Sequence, residues 1–385
     1  MNTCNNNEAS SSNEQQSPLH GDILQSILSH VPLIHLIPAS HVSKTWSTTV
    51  TTTTKTITTT TKPWLIIHTQ TSRHPYPTQT HIYDPDSSSW IQIIQPSIKY
   101  ISSLRSSHSN LLYMISPSHL SFSSDPMHVT WHHLLAPKIW RVDPVVAHVG
   151  DYVIVAGGVC DFEDDDKLAV EVYDLSLYKW RKSNPMPEVF SQSGSATWLS
   201  VSCDERDKKV FVMERSSGVT CCFDVVNNAW SGVYNLRPDP RVVYSVIGYL
   251  SDNRMIVVGR MCENDKNVIK VYGVSEDLSK CDEISEMPLE FVECLKRGCV
   301  VMTSFDVVMA GNVMYVFSKE WGCEFIVMCE FVGNGGCKWS KVVNMVVKGG
   351  CVNVMDRMVY SCGRVGMEEL RGAMRSGDRK FVVKR

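Results

Sequence analysis

The chain has 385 residues, 43% of them apolar, which is ample for a large core and exceeds one ordinary domain. Its 37 Lys and Arg against 40 Asp and Glu leave a net charge of −3, so no overall basic field points to nucleic acid or to an anionic membrane. Charges such as Asp306 and Glu324 interrupt the apolar segments, so no stretch has the length and purity of a membrane-spanning helix. Taken in order, residues 1–16 are Asn, Ser, Gln and Glu with no apolar run. They read as a disordered leader without the core of a signal peptide.

Residues 17–46 change to a helical pattern. Asp22 suits an N-cap, and Ile23, Leu24, Ile27, Leu28 and Val31 fall on one stripe before Pro32 ends the helix. A second short helix is expected from about Pro38, with Ala39, Val42 and Trp46 on its inner face. Two such helices cannot bury all this apolar surface between themselves, which suggests completion by a partner. Pro18-Leu19, Asp22-Ile23-Leu24, Ile27-Leu28, Val31-Pro32, Leu36, Val42-Ser43 and Trp46 together resemble the F-box. The usual Leu-Pro opening is transposed here to Pro18-Leu19, and Ser43 stands where Cys is common. The resemblance implies docking onto the Skp-family adaptor of a cullin-RING ubiquitin ligase. The residues that would carry it are Pro18, Leu19, Ile23, Leu24, Ile27, Leu28, Val31, Pro32, Leu36, Val42 and Trp46. The competing reading is a helical hairpin that caps the rest of the fold.

Residues 47–62 are nearly all threonine, a weak helix former with little apolar surface, so an extended linker is expected. A phosphorylation platform is the alternative.

From Pro63 the pattern turns to strands. An aromatic-Asp pair followed by Trp six residues after the Asp occurs three times, at Tyr83-Asp84 to Trp90, Tyr173-Asp174 to Trp180 and Phe223-Asp224 to Trp230. Asp can accept from backbone N–H groups two or three residues on, so one turn geometry would place each Trp at the same point of the next strand. Trp90, Trp131, Trp180 and Trp230 lie 41, 49 and 50 residues apart, and Trp339 is 109 beyond, with Cys281 a candidate for the missing landmark. An apolar strand precedes each, at 64–68, 111–115, 152–156, 210–213, 255–258 and 313–317. That makes six units. The most complete, residues 151–180, runs strand, Gly157-Gly158, loop, strand, Tyr173-Asp174, turn, Trp180, and resembles a kelch repeat. Small sheets cannot cover their own faces, and a closed ring leaves no end unfilled, so a mainly β fold is expected: a six-bladed kelch-type β-propeller over residues 63–365. A two-sheet sandwich is the bland alternative. The other repeats have lost the diglycine, with Met213-Glu214, Gly259-Arg260 and Cys362-Gly363 at comparable strand ends.

Residues 161–167 place five acidic side chains between two buried strands. Such a run must project into water. Asp161, Asp164, Asp165 and Asp166 are thus either a solubilising patch or a docking site for a basic surface of a target. Two Pro-containing turns, 184–188 and 236–241, are further target-loop candidates. Twelve of the fourteen cysteines lie from Cys203 onward without zinc spacing, and they read as reduced thiols in a cytoplasmic or nuclear protein. His132-His133, the only adjacent histidines, would point apart on a strand, so no metal site and no cofactor are expected. Residues 351–362 are expected to form a hairpin pairing with the first blade near Trp64, closing the ring. Residues 366–385 read as a basic tail, frayed or a weak contact surface.

An F-box followed by kelch repeats is a plant architecture, and the pairing implies a substrate receptor of an SCF-type ubiquitin ligase. Adaptor and cullin would be its partners, and an unknown target protein its cargo, by family analogy a phenylpropanoid or flavonoid enzyme. Such a subunit is not an enzyme: it raises the effective concentration of two other proteins. A kelch scaffold without ligase role and a propeller oxidase are the rivals. The oxidase would need His, Tyr and Cys converging on one face, and no repeat supplies a His at a matching position.

Overall fold

The computed structural model describes residues 21–57, 61–71, 78–94, 102–108, 110–159, 166–263, 266–296, 304–320, 322–333, 336–350, 353, 355–375 and 380–384. The chain divides into two compact units, Met1–Thr60 and Thr61–Arg385.

The first unit holds three helices, α1 (Asp22–Ser29), α2 (Leu33–Ala39) and α3 (Lys44–Ile57). Gly21, at φ 61°, takes the N-cap position expected of Asp22, which instead places its charge in the first turn. Pro32 caps α2, so this helix starts five residues before the expected Pro38. Pro38 falls in its last turn, where the missing N–H costs one bond. The threonine run is helix, not tether. Thr48, Thr49, Thr51 and Thr52 each donate the side-chain hydroxyl to the carbonyl four residues back, at 2.9–3.3 Å. That satisfies polar groups which would otherwise compete with the helix. Val50, Thr53 and Thr54, at helical spacing, form the buried face of α3, which packs on α1 and α2. Trp46 belongs to this third helix.

The second unit is a six-bladed β-propeller. Each predicted apolar run is the second strand of its blade: Trp64–Gln70, Leu112–Ile115, Tyr152–Ala156, Lys209–Glu214, Met255–Glu263 and Val313–Ser318. The third to sixth blades are four-stranded antiparallel sheets whose innermost strands are Val145–Val149, Leu199–Asp204, Val242–Tyr249 and Phe305–Ala310. In the second blade the inner strand shrinks to one bridge between Arg105 and Tyr113. The first blade takes its inner strand, Arg357–Gly363, from the far end of the chain, in register from Trp64↔Gly363 to Gln70↔Arg357. The ring therefore closes where expected, but by one strand rather than a hairpin. The tail is structured as well: a helix, Met367–Arg375, leads to a strand, Lys380–Lys384, that pairs with Ser89–Ile94 on the outer edge of the same blade.

The core lies between blades. One apolar cluster joins Val145, Ala147 and Phe190 to Val201, Val212 and Phe223 across the third and fourth blades. Others span the second and third, fourth and fifth, and fifth and sixth. The cluster of Leu65, Ile67 and Tyr360 with Val308, Tyr315 and Val342 seals the sixth blade against the first. Phe317 stacks on Tyr360 there at 3.8 Å between ring centroids. Under the intact diglycine, Arg141 pairs with Glu171 at 2.7 Å with both fully buried. Glu171 also accepts the N–H groups of Lys138 and Ile139, so the buried charge is paired and hydrogen-bonded.

The aromatic-Asp-to-Trp spacing is one turn used repeatedly. Asp84, Asp174 and Asp224 each accept from an N–H two or three residues on, at 2.8–3.0 Å. The residue four past the Asp is left-handed in every case: Ser88 at φ 52°, Tyr178 at 53° and Asn228 at 55°. A fourth copy with no aromatic signal occurs at Asp204, with Lys208 at 51°. The turn sets the cross-strand pairs Tyr83↔Trp90, Tyr173↔Trp180 and Phe223↔Trp230, whose rings lie 5.0–5.3 Å apart. The indoles also reach backwards. Trp180 donates to the Leu135 carbonyl at 2.9 Å, Trp230 to Asn184 at 3.2 Å and Trp339 to the Ser285 hydroxyl at 3.1 Å, in each case in the preceding blade or just past its last strand. Cys281, the residue in the missing Trp position, sends its thiol to the Leu236 carbonyl at 3.7 Å in the same sense. Trp180→Ala is expected to destabilise the propeller by about 3 kcal/mol, and Trp180→Phe, which keeps a ring but loses the donor, by about 1 kcal/mol. Equilibrium urea unfolding checks both; an unchanged midpoint would contradict the inter-blade role.

Candidate adaptor and target surfaces

On α1 the predicted stripe splits in two. Leu24 and Leu28 are buried within the first unit, together with Leu36 of α2. Ile23 and Ile27 are 62% and 46% exposed, Val42 in the α2–α3 connection is 63% exposed, and Val31, Pro32 and Trp46 are half-buried. Exposed isoleucines one turn apart, with nothing apolar over them among the described residues, form a surface that a partner can cover. Pro18 and Leu19 lie outside the described residues. So do Asp161, Asp164 and Asp165; Asp166 is exposed and accepts from the Leu168 N–H at 3.1 Å. The two Pro-containing turns do not stand free, since Asn184 and Leu236 receive the Trp230 indole and the Cys281 thiol.

Strand alternation orders the loops. The inner strands all start at one end of the propeller axis, and the loops after the second and fourth strands open at that same end. There the chain lines a cavity of about 500 Å³ with residues from five blades, among them Arg105, Asp143, Arg215, Asp306, Lys319 and Arg357. Asp306 is gripped by both guanidinium N–H groups of Arg215 at 3.2 and 3.1 Å and by Lys319 at 3.0 Å. Burial opposes its charge, but Arg215 and Lys319 outweigh burial and bring the carboxyl down to about 2. Arg215 also donates to the Tyr244 hydroxyl at 3.1 Å, which brings in the fifth blade. Asp143 accepts from Arg105, from the hydroxyls of Ser195 and Thr197, and from the Thr197 N–H. Neither charge group was singled out in the sequence, yet a signal existed. Arg215 and Lys319 directly follow the second strands of their blades, the place where the third blade keeps Gly157.

Histidines gather in the blade seams nearby. His128 joins the Ser361 hydroxyl of the closing strand at 2.8 Å, and its ring lies 5.2 Å from that of His68, which meets Thr80 at 3.0 Å. His108 accepts the His148 N–H at 3.4 Å. Burial pushes His128 down to about 4 and His108 down to about 3, so both are neutral in the fold near pH 7. A folded value below the unfolded one means that the unfolded chain takes up the proton first as pH falls. The stabilisation by each neutral imidazole is complete above about pH 6.5 and drains away below it. Between pH 7.5 and 5.0 each should cost about 2 kcal/mol of stability, and His108→Asn or His128→Asn should flatten the slope. Thermal melts across this range measure it.

Residues 19–57 match the F-box domain family, a span that includes the threonine-built α3. An F-box/kelch-repeat protein of Arabidopsis thaliana is 36% identical over 375 residues, 94% of this chain and 94% of that one. The chain belongs to the F-box/kelch-repeat proteins. Among solved structures, a protein described as a 6-phosphogluconolactonase from Bacteroides uniformis aligns with 78% of this chain and 100% of its own at 10% identity and a TM-score of 0.42. Hsv2 of Kluyvelomyces marxianus aligns with 68% and 78% at 9% identity and 0.34. Likenesses this distant carry no argument about function.

Proposed function

We propose that this chain is the substrate-recognition subunit of an SCF-type ubiquitin ligase: the F-box docks the Skp-family adaptor, and through it the cullin, while the propeller holds a target for ubiquitination. The supporting observation is the uncovered Ile23, Ile27 and Val42 surface on an F-box unit, joined in one chain to a separate closed propeller. In this reading the subunit is non-catalytic and works in the cytoplasm, the nucleus or both. Among the described residues no helix is long and apolar enough to cross a membrane, and no group of three His, Cys, Asp or Glu is arranged to hold a metal ion. The narrower suggestion of a phenylpropanoid or flavonoid enzyme as target rests on family analogy alone. The acidic residues Asp161, Asp164, Asp165 and Asp166 are kept as a candidate contact for a basic patch on the target.

Ile23→Asp with Ile27→Asp places two carboxylates on the adaptor face without touching the buried Leu24 and Leu28. Burying such charges at an interface is expected to weaken adaptor binding roughly a thousandfold, with propeller melting unchanged. Affinity purification from plant cells reads it out. Adaptor and cullin should accompany the wild-type chain and vanish with the double variant. Undiminished adaptor with the variant, or none with wild type, overturns the receptor reading in favour of a scaffold.

A further inference from the structure

We infer that the axial cavity is the recognition site for an acidic segment of the target polypeptide, whose carboxylates are received by Arg357 and Lys319. The inference deepens the receptor reading and rests on it for the nature of the ligand.

Four cations, Arg105, Arg215, Lys319 and Arg357, line the cavity with three carboxylates, Asp143, Asp306 and Asp356. The acceptors of the first two acids are already filled from within. Asp143 takes Arg105, two hydroxyls and a backbone N–H; Asp306 takes Arg215 twice, Lys319 and the Val307 N–H. Asp356 accepts the Asn353 N–H at 2.8 Å. Arg215 is spent on Asp306, the Tyr244 hydroxyl and the Leu199 carbonyl, so it positions the site rather than greeting a ligand. Arg357 is different: its side chain makes no hydrogen bond or ion pair among the described residues, and it stands exposed among the residues that line this mouth. Burial, and then the like charge of Arg105, hold its guanidinium below the ordinary arginine range, with the nearby Asp143 carboxylate offsetting this only in part. A planar five-donor group of this kind suits a carboxylate bidentately. Among the described residues the Lys319 ammonium engages only Asp306, and its side chain is 37% exposed, leaving donors for a second carboxylate. At about 500 Å³ the cavity admits several side chains, and it opens at the end of the ring where the loops after the second and fourth strands emerge. Trp198, between the lining residues Thr197 and Leu199, is 60% exposed and offers an apolar landing beside the charges.

The test uses the full chain and fluorescence anisotropy with a short fluorescein-labelled peptide rich in Glu and Asp, against the same peptide with Gln and Asn in their place. The acidic peptide should bind and the neutral one should not, with affinity falling as salt rises. Arg357→Gln should weaken binding about tenfold or more, and Lys319→Gln should do so in a second, independent background. Arg254→Gln, on an exposed residue paired with Asp252 in the turn between the first and second strands of the fifth blade, at the opposite end of the axis, should leave it unchanged. No binding of the acidic peptide overturns the inference, as does equal affinity in an Arg357→Gln protein that melts normally. Displacement by inorganic phosphate as efficiently as by unlabelled peptide also overturns it, assigning the site to a free anion. Adaptor capture, measured on the same preparations, separates the two readings: its failure removes the receptor role without touching anion binding, and its persistence leaves that role intact if the peptide fails.

Discussion

The propeller depends on one pairing: strand Arg357–Gly363 laid along Trp64–Gln70. These segments lie almost three hundred residues apart in sequence. Without that pairing the first blade would expose an open edge and the seam against the sixth blade would lose Tyr360 and Cys362 from its core. Everything near the seam reinforces it. Tyr315 of the sixth blade donates its hydroxyl to the Pro63 carbonyl at 2.7 Å, Lys62 meets Glu330 at 2.8 Å, and His128 of the second blade holds Ser361 of the closing strand. Residues Lys380–Lys384 then cover the opposite edge of the same blade, so the end of the chain is woven into the fold on both sides of the first blade.

Repeats that have drifted in sequence still make the same joints. The third blade needs glycine where its second strand ends: a side chain on Gly157, at φ 63°, would collide with the Gly194 carbonyl oxygen. The fourth and sixth blades turn differently at this place, and the room is taken by Arg215 and Lys319. Loss of the repeat signature thus coincides with gain of charge at the axis. The outer joints follow the same logic, since Cys281 replaces a tryptophan and still sends a donor to the preceding blade. A weak thiol donor without the indole ring fills the position less completely but preserves its direction.

Division of labour follows from where each surface lies. The F-box unit buries Leu24, Leu28 and Leu36 for its own stability and leaves Ile23, Ile27 and Val42 outside. In the propeller the cores are shared between blades, so the loops and the axis carry little of the folding energy. A cation such as Arg357 can sit there half-satisfied because the seams hold the ring without it.

Local chemistry decided what could be read directly. The β-branched strands, the Asp that closes each turn and the tryptophan six residues later are all short-range, and from them the six units, their second strands and the stand-in at Cys281 follow. The F-box was legible as a stripe, but one stripe cannot say which of its residues face inward; only the packing of α3 on α1 separates Leu24 and Leu28 from Ile23 and Ile27. Threonine propensity pointed away from helix, and tertiary burial of Val50, Thr53 and Thr54 reversed it. The tail looked structureless because an edge strand such as Lys380–Lys384 has meaning only beside the strand it joins. The axial charges could not be read as one cluster for a related reason, although Arg215 and Lys319 each mark the end of a second strand. Arg105, Asp143, Arg215, Asp306, Lys319 and Arg357 are scattered over some two hundred and fifty residues, each unremarkable in its own repeat. They converge only because closing a ring brings the same end of every blade to one axis.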